Sequence, residues 1–178
     1  MFLHVADGAM YPCGGDSCHH CERSDVPVYG FDGEIVNPDL AKNPALAADE
    51  PQVSELCASC ILGGNVRKSA YRIREITPIV TRWAADPVRA IEEYHRTPDI
   101  PLLMQRYDWP MCCGGWCEFV GTPDTRDVSR QVPHGFRYWE RGPVEWHFRY
   151  ELLPESLREV SLFRCALCGG GWFVWQPT

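Results

Sequence analysis

Lysine is nearly absent from this chain: of 17 basic residues only Lys42 and Lys68 are lysine, and the remaining fifteen are arginine. No apolar run approaches the ~20 residues that a membrane-spanning helix needs. The opening MFLHVADGAMYPCGG lacks a basic n-region and a long apolar stretch, so no secretory signal is read and a cytoplasmic setting is expected. Also missing are HExxH, GxSxG and a phosphate-cradling glycine loop, which leaves the common hydrolytic and nucleotide-dependent chemistries without an anchor. No internal repeat is strong enough to indicate duplication. Positive charge is in deficit, with 24 acidic residues giving a net −7 at pH 7. A phosphate backbone repels such a chain at long range, which disfavours a nucleic-acid partner unless a local basic patch overrides the bulk.

What is abundant is cysteine. Eight of the ten cysteines fall into close pairs: Cys18/Cys21, Cys57/Cys60, Cys113/Cys117 and Cys165/Cys168. Two or three residues between thiols let a tight turn aim both sulfurs at one point, about 4 Å apart, as on the edge of a tetrahedron around a metal. In a reducing compartment such pairs hold metal more readily than disulfides. Four pairs suffice for two closed four-thiolate sites, and closed sites are structural because no coordination position is left open. The simplest assignment is sequential: Cys18, Cys21, Cys57 and Cys60 in one site, Cys113, Cys117, Cys165 and Cys168 in the other. Interleaving is compatible with the same spacing. Zinc is the expected ion, with iron as the rubredoxin-like alternative. Two such sites would carry the net charge to about −11. Cys13 and Cys112 are left over; Cys112 adjoins Cys113, so either can be the ligand. His19 and His20, inside the first pair, can replace a thiol or be plain turn residues. His134 and His147 show no partner pattern.

The chain between these pairs reads as α+β. Short strands are expected at Phe2–Val5, Val28–Phe31, Glu118–Gly121 and Val144–Glu151, the last alternating aromatic and charged residues. Residues 37–52 read as a surface loop with at most one helical turn. The best helix is 86–96, with Asp86 as cap, Pro87 in the first turn and Glu92–Arg96 as an i,i+4 pair. A second short helix is expected at Leu102–Tyr107. Near the end, SLFR, CALCGGG and WFVWQ give strand, knuckle, strand, the plan of a zinc-ribbon hairpin. The predicted architecture is therefore a small zinc-stabilised domain with short antiparallel sheets, knuckle and ribbon elements and two or three short helices. Residues 1–178 form one unit, with an N-terminal knuckle half, 1–82, and a C-terminal ribbon half, 83–178.

Rival functions can be weighed on residues. His20-Cys21-Glu22 followed by Cys57-Ala58-Ser59-Cys60 partly matches the zinc-deaminase pattern, but Leu56 stands where that pattern has proline. Thioredoxin-like chemistry lacks its βαβ setting. The run VRKSAYRIR could place Arg67, Lys68, Arg72 and Arg74 in a basic patch, as a zinc-ribbon nucleic-acid module would need, or it could be an ordinary solvated face. Trp83, Trp109, Trp116, Trp139, Trp172 and Trp175 are candidate interface anchors or, more simply, core.

Four blocks together carry a resemblance: CHHCERSDVPVYGFDG, ELCASCILGG, HRTPDIPLLMQRYDWPMCCGGWCEFVG and LFRCALCGG. In order and spacing they resemble the CbrC family of bacterial proteins, named for colicin tolerance, over roughly Cys18 to Trp175. Within the third block Arg96-Thr97-Pro98, Gln105, Trp109, Cys113, Cys117, Phe119 and Gly121 carry the likeness. The chain departs from it at Cys112, where the family usually has histidine. The resemblance implies bacterial origin, a cytoplasmic setting, zinc binding and a link to toxin tolerance, with no known reaction. The expected function is non-catalytic binding of a protein partner, with a basic toxin masked by an acidic immunity protein as the reading that fits the charge. Oligomeric state is not legible.

Overall fold

The computed structural model describes residues 2–49, 52–100, 108–123, 132, 135–144 and 160–176. The fold is α+β with short, mostly antiparallel strands. Strand β1 (Val28–Ile35) is the centre of a three-stranded sheet, flanked by β2 (Gln52–Cys57) and β3 (Val66–Lys68), both antiparallel to it. Gly33 of β1 is required there: a Cβ would collide with the Arg67 carbonyl oxygen and with the Phe31 ring. Between β1 and β2 the chain makes a 3-10 turn at Pro38–Leu40 and a short helix α1 (Pro44–Asp49). Helix α2 (Ala58–Gly63) starts directly from the end of β2 and is closed by Gly64 in the left-handed conformation, φ 76°.

The run from Val66 to Arg74 is strand and helix in succession. Strand β3 ends at Lys68, and Ser69 caps α3 (Ala70–Trp83), its hydroxyl accepting from the Arg72 N–H at 3.3 Å. At fourteen residues α3 is longer than any helix expected. Pro78 lies inside it and removes the N–H that would bond the Arg74 carbonyl. Both residues are exposed, so water can take that carbonyl. Ile76, Ile79 and Val80 bury the inner face. Helix α4 (Pro87–Tyr94) begins as expected, with the Asp86 carboxylate accepting from the Arg89 N–H at 3.0 Å. Its intrahelical ion pair is Arg89–Glu93, at 2.8 Å, while Glu92 reaches Arg67 at 3.5 Å.

The C-terminal half holds a hairpin and a four-stranded sheet. The hairpin joins β4 (Met111–Cys112) to β5 (Gly115–Trp116). The sheet has the order β6 (Glu118–Gly121), β8 (Val160–Arg164), β9 (Gly171–Trp175), β7 (Phe136–Tyr138). Neighbours are antiparallel except β7 and β9, which run parallel. The ribbon plan of strand, knuckle, strand is present in β8 and β9. The expected helix at Leu102–Tyr107, residues 145–151 of the expected strand, His134 and His147 lie outside the described residues. The expected N-terminal strand is a single parallel bridge, Val5 to Phe119.

One main core draws on both halves of the chain, from Phe2 to Val174. Its densest part is aromatic. Trp109 packs on Tyr94, Trp116 and Phe163, with centroids 6.3, 6.2 and 5.8 Å away, and Trp139 packs on Trp83 and Trp172 at 5.5 and 5.4 Å. Trp109, Trp116, Trp139 and Trp172 are buried core, not surface anchors; Trp83 and Trp175 are half-buried. The opposite face of the four-stranded sheet has a smaller cluster around Val160, Leu162 and Phe173.

The basic run also resolves differently from a patch. The Lys68 side chain is fully enclosed, its ammonium 2.6 Å from Asp99 and 4.0 Å from the Phe31 ring centroid. Arg72 donates to Asp32 at 2.9 Å and to Asp99 at 3.0 Å, while the Asp32 N–H donates to Asp99 at 2.6 Å. Burial pushes Asp99 up, but Lys68 and Arg72 override it and hold the carboxyl below its usual range. Two of the four cations are therefore spent inside the molecule, and only Arg67 and Arg74 face solvent.

Candidate metal centres

Two knuckles share one backbone design. In the first, the Cys18 N–H donates to the Arg23 carbonyl at 3.0 Å and the Glu22 N–H to the Cys18 carbonyl at 2.7 Å. In the second, the Cys165 N–H donates to Gly170 at 2.8 Å and the Gly169 N–H to Cys165 at 2.9 Å. The fifth residue of each turn is left-handed: Glu22 at φ 56°, Gly169 at φ 70°. That reversal folds each C-x-x-C pair so that both sulfurs point the same way.

Each knuckle faces a second pair of sulfurs. For the first, β2 ends at Cys57, which is also the N-cap of α2, and Cys60 lies in the first turn of that helix. The Sγ atoms of Cys18, Cys21, Cys57 and Cys60 all lie within 4.8 Å of one another, with Cys21 and Cys57 at 3.8 Å. For the second knuckle, the partner is the β4–β5 hairpin. Its two turn residues, Cys113 and Gly114, have φ of 53° and 82°, the pattern of a two-residue hairpin turn with both centres left-handed. The Sγ atoms of Cys112, Cys113, Cys165 and Cys168 form the second group within 4.8 Å, Cys112 lying 3.8 Å from Cys113 and 3.6 Å from Cys168.

Both groups follow chain order, so the sulfurs gather sequentially and not in an interleaved pattern. The sequence reading differs in one position. Spacing pairs Cys117 with Cys113, whereas the structure puts Cys112 in the group and leaves Cys117 out of it. The hairpin explains this: its turn lies at Cys113-Gly114, which carries adjacent Cys112 and Cys113 to the same end. Cys117 follows β5 into the core and is fully buried. Burial, followed by the neighbouring thiolates, pushes its thiol well above the usual value. Cys13 also stands apart, donating weakly to the Val28 carbonyl at 3.5 Å and toward Glu55 at 3.8 Å.

These sulfurs fit a thiophilic dication. A tetrahedral ion with metal–sulfur bonds of about 2.3 Å has edges of about 3.8 Å, and the closest pairs above match it. All ten cysteines are free of disulfides. Without a cation, the four sulfurs of each group cannot share their negative charge evenly. Cys18 is lowered to about 4, chiefly by a hydrogen bond from Cys60, and Cys60 is correspondingly raised. Cys168 is lowered to about 7, first by the Gly170 N–H, while burial and the neighbouring thiols push Cys112 up to about 12. A bound divalent ion would supply the charge that lets all four ionise together.

His20 is the neighbour whose role spacing alone left open. It is buried, its Nδ1 lies 3.3 Å from the Cys60 sulfur, and its Nε2 has no hydrogen-bond partner among the described residues. With four thiols already converging, it serves as a hydrogen-bond neighbour of the sulfur and not as a ligand. His19 is exposed and pairs with Glu55 at 3.5 Å. Glu22, the acid of the deaminase-like match, is exposed and paired with Lys42 at 3.0 Å, and both Cys18 and Cys21 belong to the sulfur group. The two centres differ in access. Cys18, Cys57 and Cys60 are buried at 0, 2 and 7% exposure, whereas Cys113 and Cys168 are exposed. No helix of the described residues is long and apolar enough to cross a membrane. No family model, curated protein or solved structure matches the chain.

Proposed function

We propose that this chain is a non-catalytic, zinc-stabilised binding protein of CbrC type that acts by gripping a protein partner in toxin tolerance or immunity. The observation that carries the metal part is the convergence of two sets of four thiols at tetrahedral spacing. Four sulfurs per ion leave no open position for a substrate or an activated water, which favours a structural over a catalytic role. The partner part is supported by net charge. A protein at −7, and lower with metal bound, associates fastest with a basic surface, and many toxins that attack nucleic acid are basic. A nucleic-acid module is the weaker reading, because Lys68 and Arg72 are consumed in internal ion pairs.

Two measurements test this. Elemental analysis of the purified protein should find two zinc per chain; neither zinc nor iron, with the fold intact, removes the metal reading. Co-expression with a toxin encoded beside the gene should give protection and a co-purifying complex. Failure of both removes the immunity reading and leaves the metal reading standing.

A further inference from the structure

The two sulfur groups are alike in ligand count and unlike in exposure. In the first, three of four cysteines are buried. In the second only Cys165 is buried; Cys112 is half-buried, and Cys113 and Cys168 are open to solvent. The knuckle tip beside Cys168 stands clear of the molecule, with Leu167 78% exposed. The Cys112 and Cys168 sulfurs are 3.6 Å apart on separate elements, the hairpin and the knuckle. Cys112 and Cys113, at 3.8 Å, are consecutive in sequence. Their Cα atoms are held at about 3.8 Å by the trans peptide, below the roughly 4.4–6.8 Å that a disulfide spans without distortion.

We propose that the second centre is an oxidation-released metal site, in which a hydroperoxide converts Cys112 and Cys168 to a disulfide and the ion leaves. This rests on the zinc reading given above. The exposed Cys168 thiolate attacks the terminal oxygen of the peroxide. The O–O bond breaks, Cys168 becomes a sulfenic acid, and the leaving oxygen takes a proton to become water or an alcohol. The Cys112 thiolate then attacks the Cys168 sulfur and expels hydroxide, which is protonated to water. Two electrons pass from the sulfurs to the peroxide. The ion, left with Cys113 and Cys165, dissociates. The first centre is shielded from the same reagent by burial. The consequence is local: the hairpin stays tied to the knuckle through the new disulfide, Cys113 and Cys165 are left without an ion between them, and a thiol reductant with zinc restores the centre.

The test uses the zinc-loaded full chain and hydrogen peroxide, with released zinc followed by a chromogenic chelator and disulfides mapped by peptide mass spectrometry. The expected result is release of one of two equivalents, roughly tenfold or more faster than the other, with a Cys112–Cys168 bridge. Thiol reductant and added zinc should reverse it. Release of both ions at one rate, release of neither, or a bridge confined to the first centre overturns the inference while leaving the zinc reading intact. A protein that starts with fewer than two zinc per chain overturns the zinc reading itself, and this inference with it.

Discussion

Glu22 and Gly169 occupy equivalent places in two copies of one turn, and only one of them is a residue that tolerates the left-handed region at little cost. Substitutions at the two should therefore differ in sign. Gly169→Ala has space for its Cβ, so its penalty is backbone strain of about 1 kcal/mol. Glu22→Gly relieves that strain, offset by the freer unfolded chain and by loss of an exposed pair with Lys42, for a net gain of about 0.5 kcal/mol. Urea unfolding of the zinc-loaded protein checks both, and shifts of the same sign would show the turns to be unlike. Cys112 and Cys117 make a second contrast. Cys112→Ser is expected to lose one zinc equivalent, whereas Cys117→Ala should keep both and lose only about 1 kcal/mol of packing, as read from metal stoichiometry and urea midpoints. Spacing alone could not separate these two residues. A C-x-x-x-C pattern says nothing of where a turn falls, and the answer depended on Cys113 accepting a positive φ that its neighbour Gly114 makes usable.

At the scale of elements, the ion network ties β1, β3, α3 and the segment after α4 together through Asp32, Lys68, Arg72 and Asp99. His95 joins it, its Nδ1 accepting from the Lys68 N–H at 3.1 Å. Burial, and then the charge of Arg67, hold His95 below its ordinary value. The unfolded chain thus binds a proton near pH 6.5 that the folded chain refuses, so stability falls as pH drops below about 6.5. Asp99, depressed in the folded state, contributes stability present above about pH 4 and lost as pH falls further. Thiolates also protonate and release metal in acid, so the informative quantity is a difference. His95→Asn should remove the first loss and leave the second, as read from urea midpoints of both proteins across pH 4–8. The sequence did not show this network because its partners lie 27 to 67 residues apart. Nor did it show the full length of α3, where Pro78 and several β-branched residues mask a helical face that burial of Ile76, Ile79 and Val80 secures. Helix α4 was legible because its cap and first-turn proline are local signals.

For the molecule as a whole, a zinc bound as proposed would contribute on the order of 10–16 kcal/mol per structural site, against a net stability of ~5–15 kcal/mol for an ordinary domain. Removing both ions with a chelator under reducing conditions should therefore abolish the near-ultraviolet signal of the buried tryptophans, and zinc should restore it. Persistence of that signal in metal-free protein would show that the aromatic core stands without them. The first sulfur group has a timing consequence of its own. All its cysteines fall within residues 18–60, ahead of the hairpin, the second knuckle and most of the shared core. A nascent chain emerging from the ribosome at ~5–20 residues per second exposes these four thiols several seconds before the second knuckle, at 165–168, emerges. Capture of zinc can then precede core assembly, so that late-arriving strands dock on a template already cross-linked by metal.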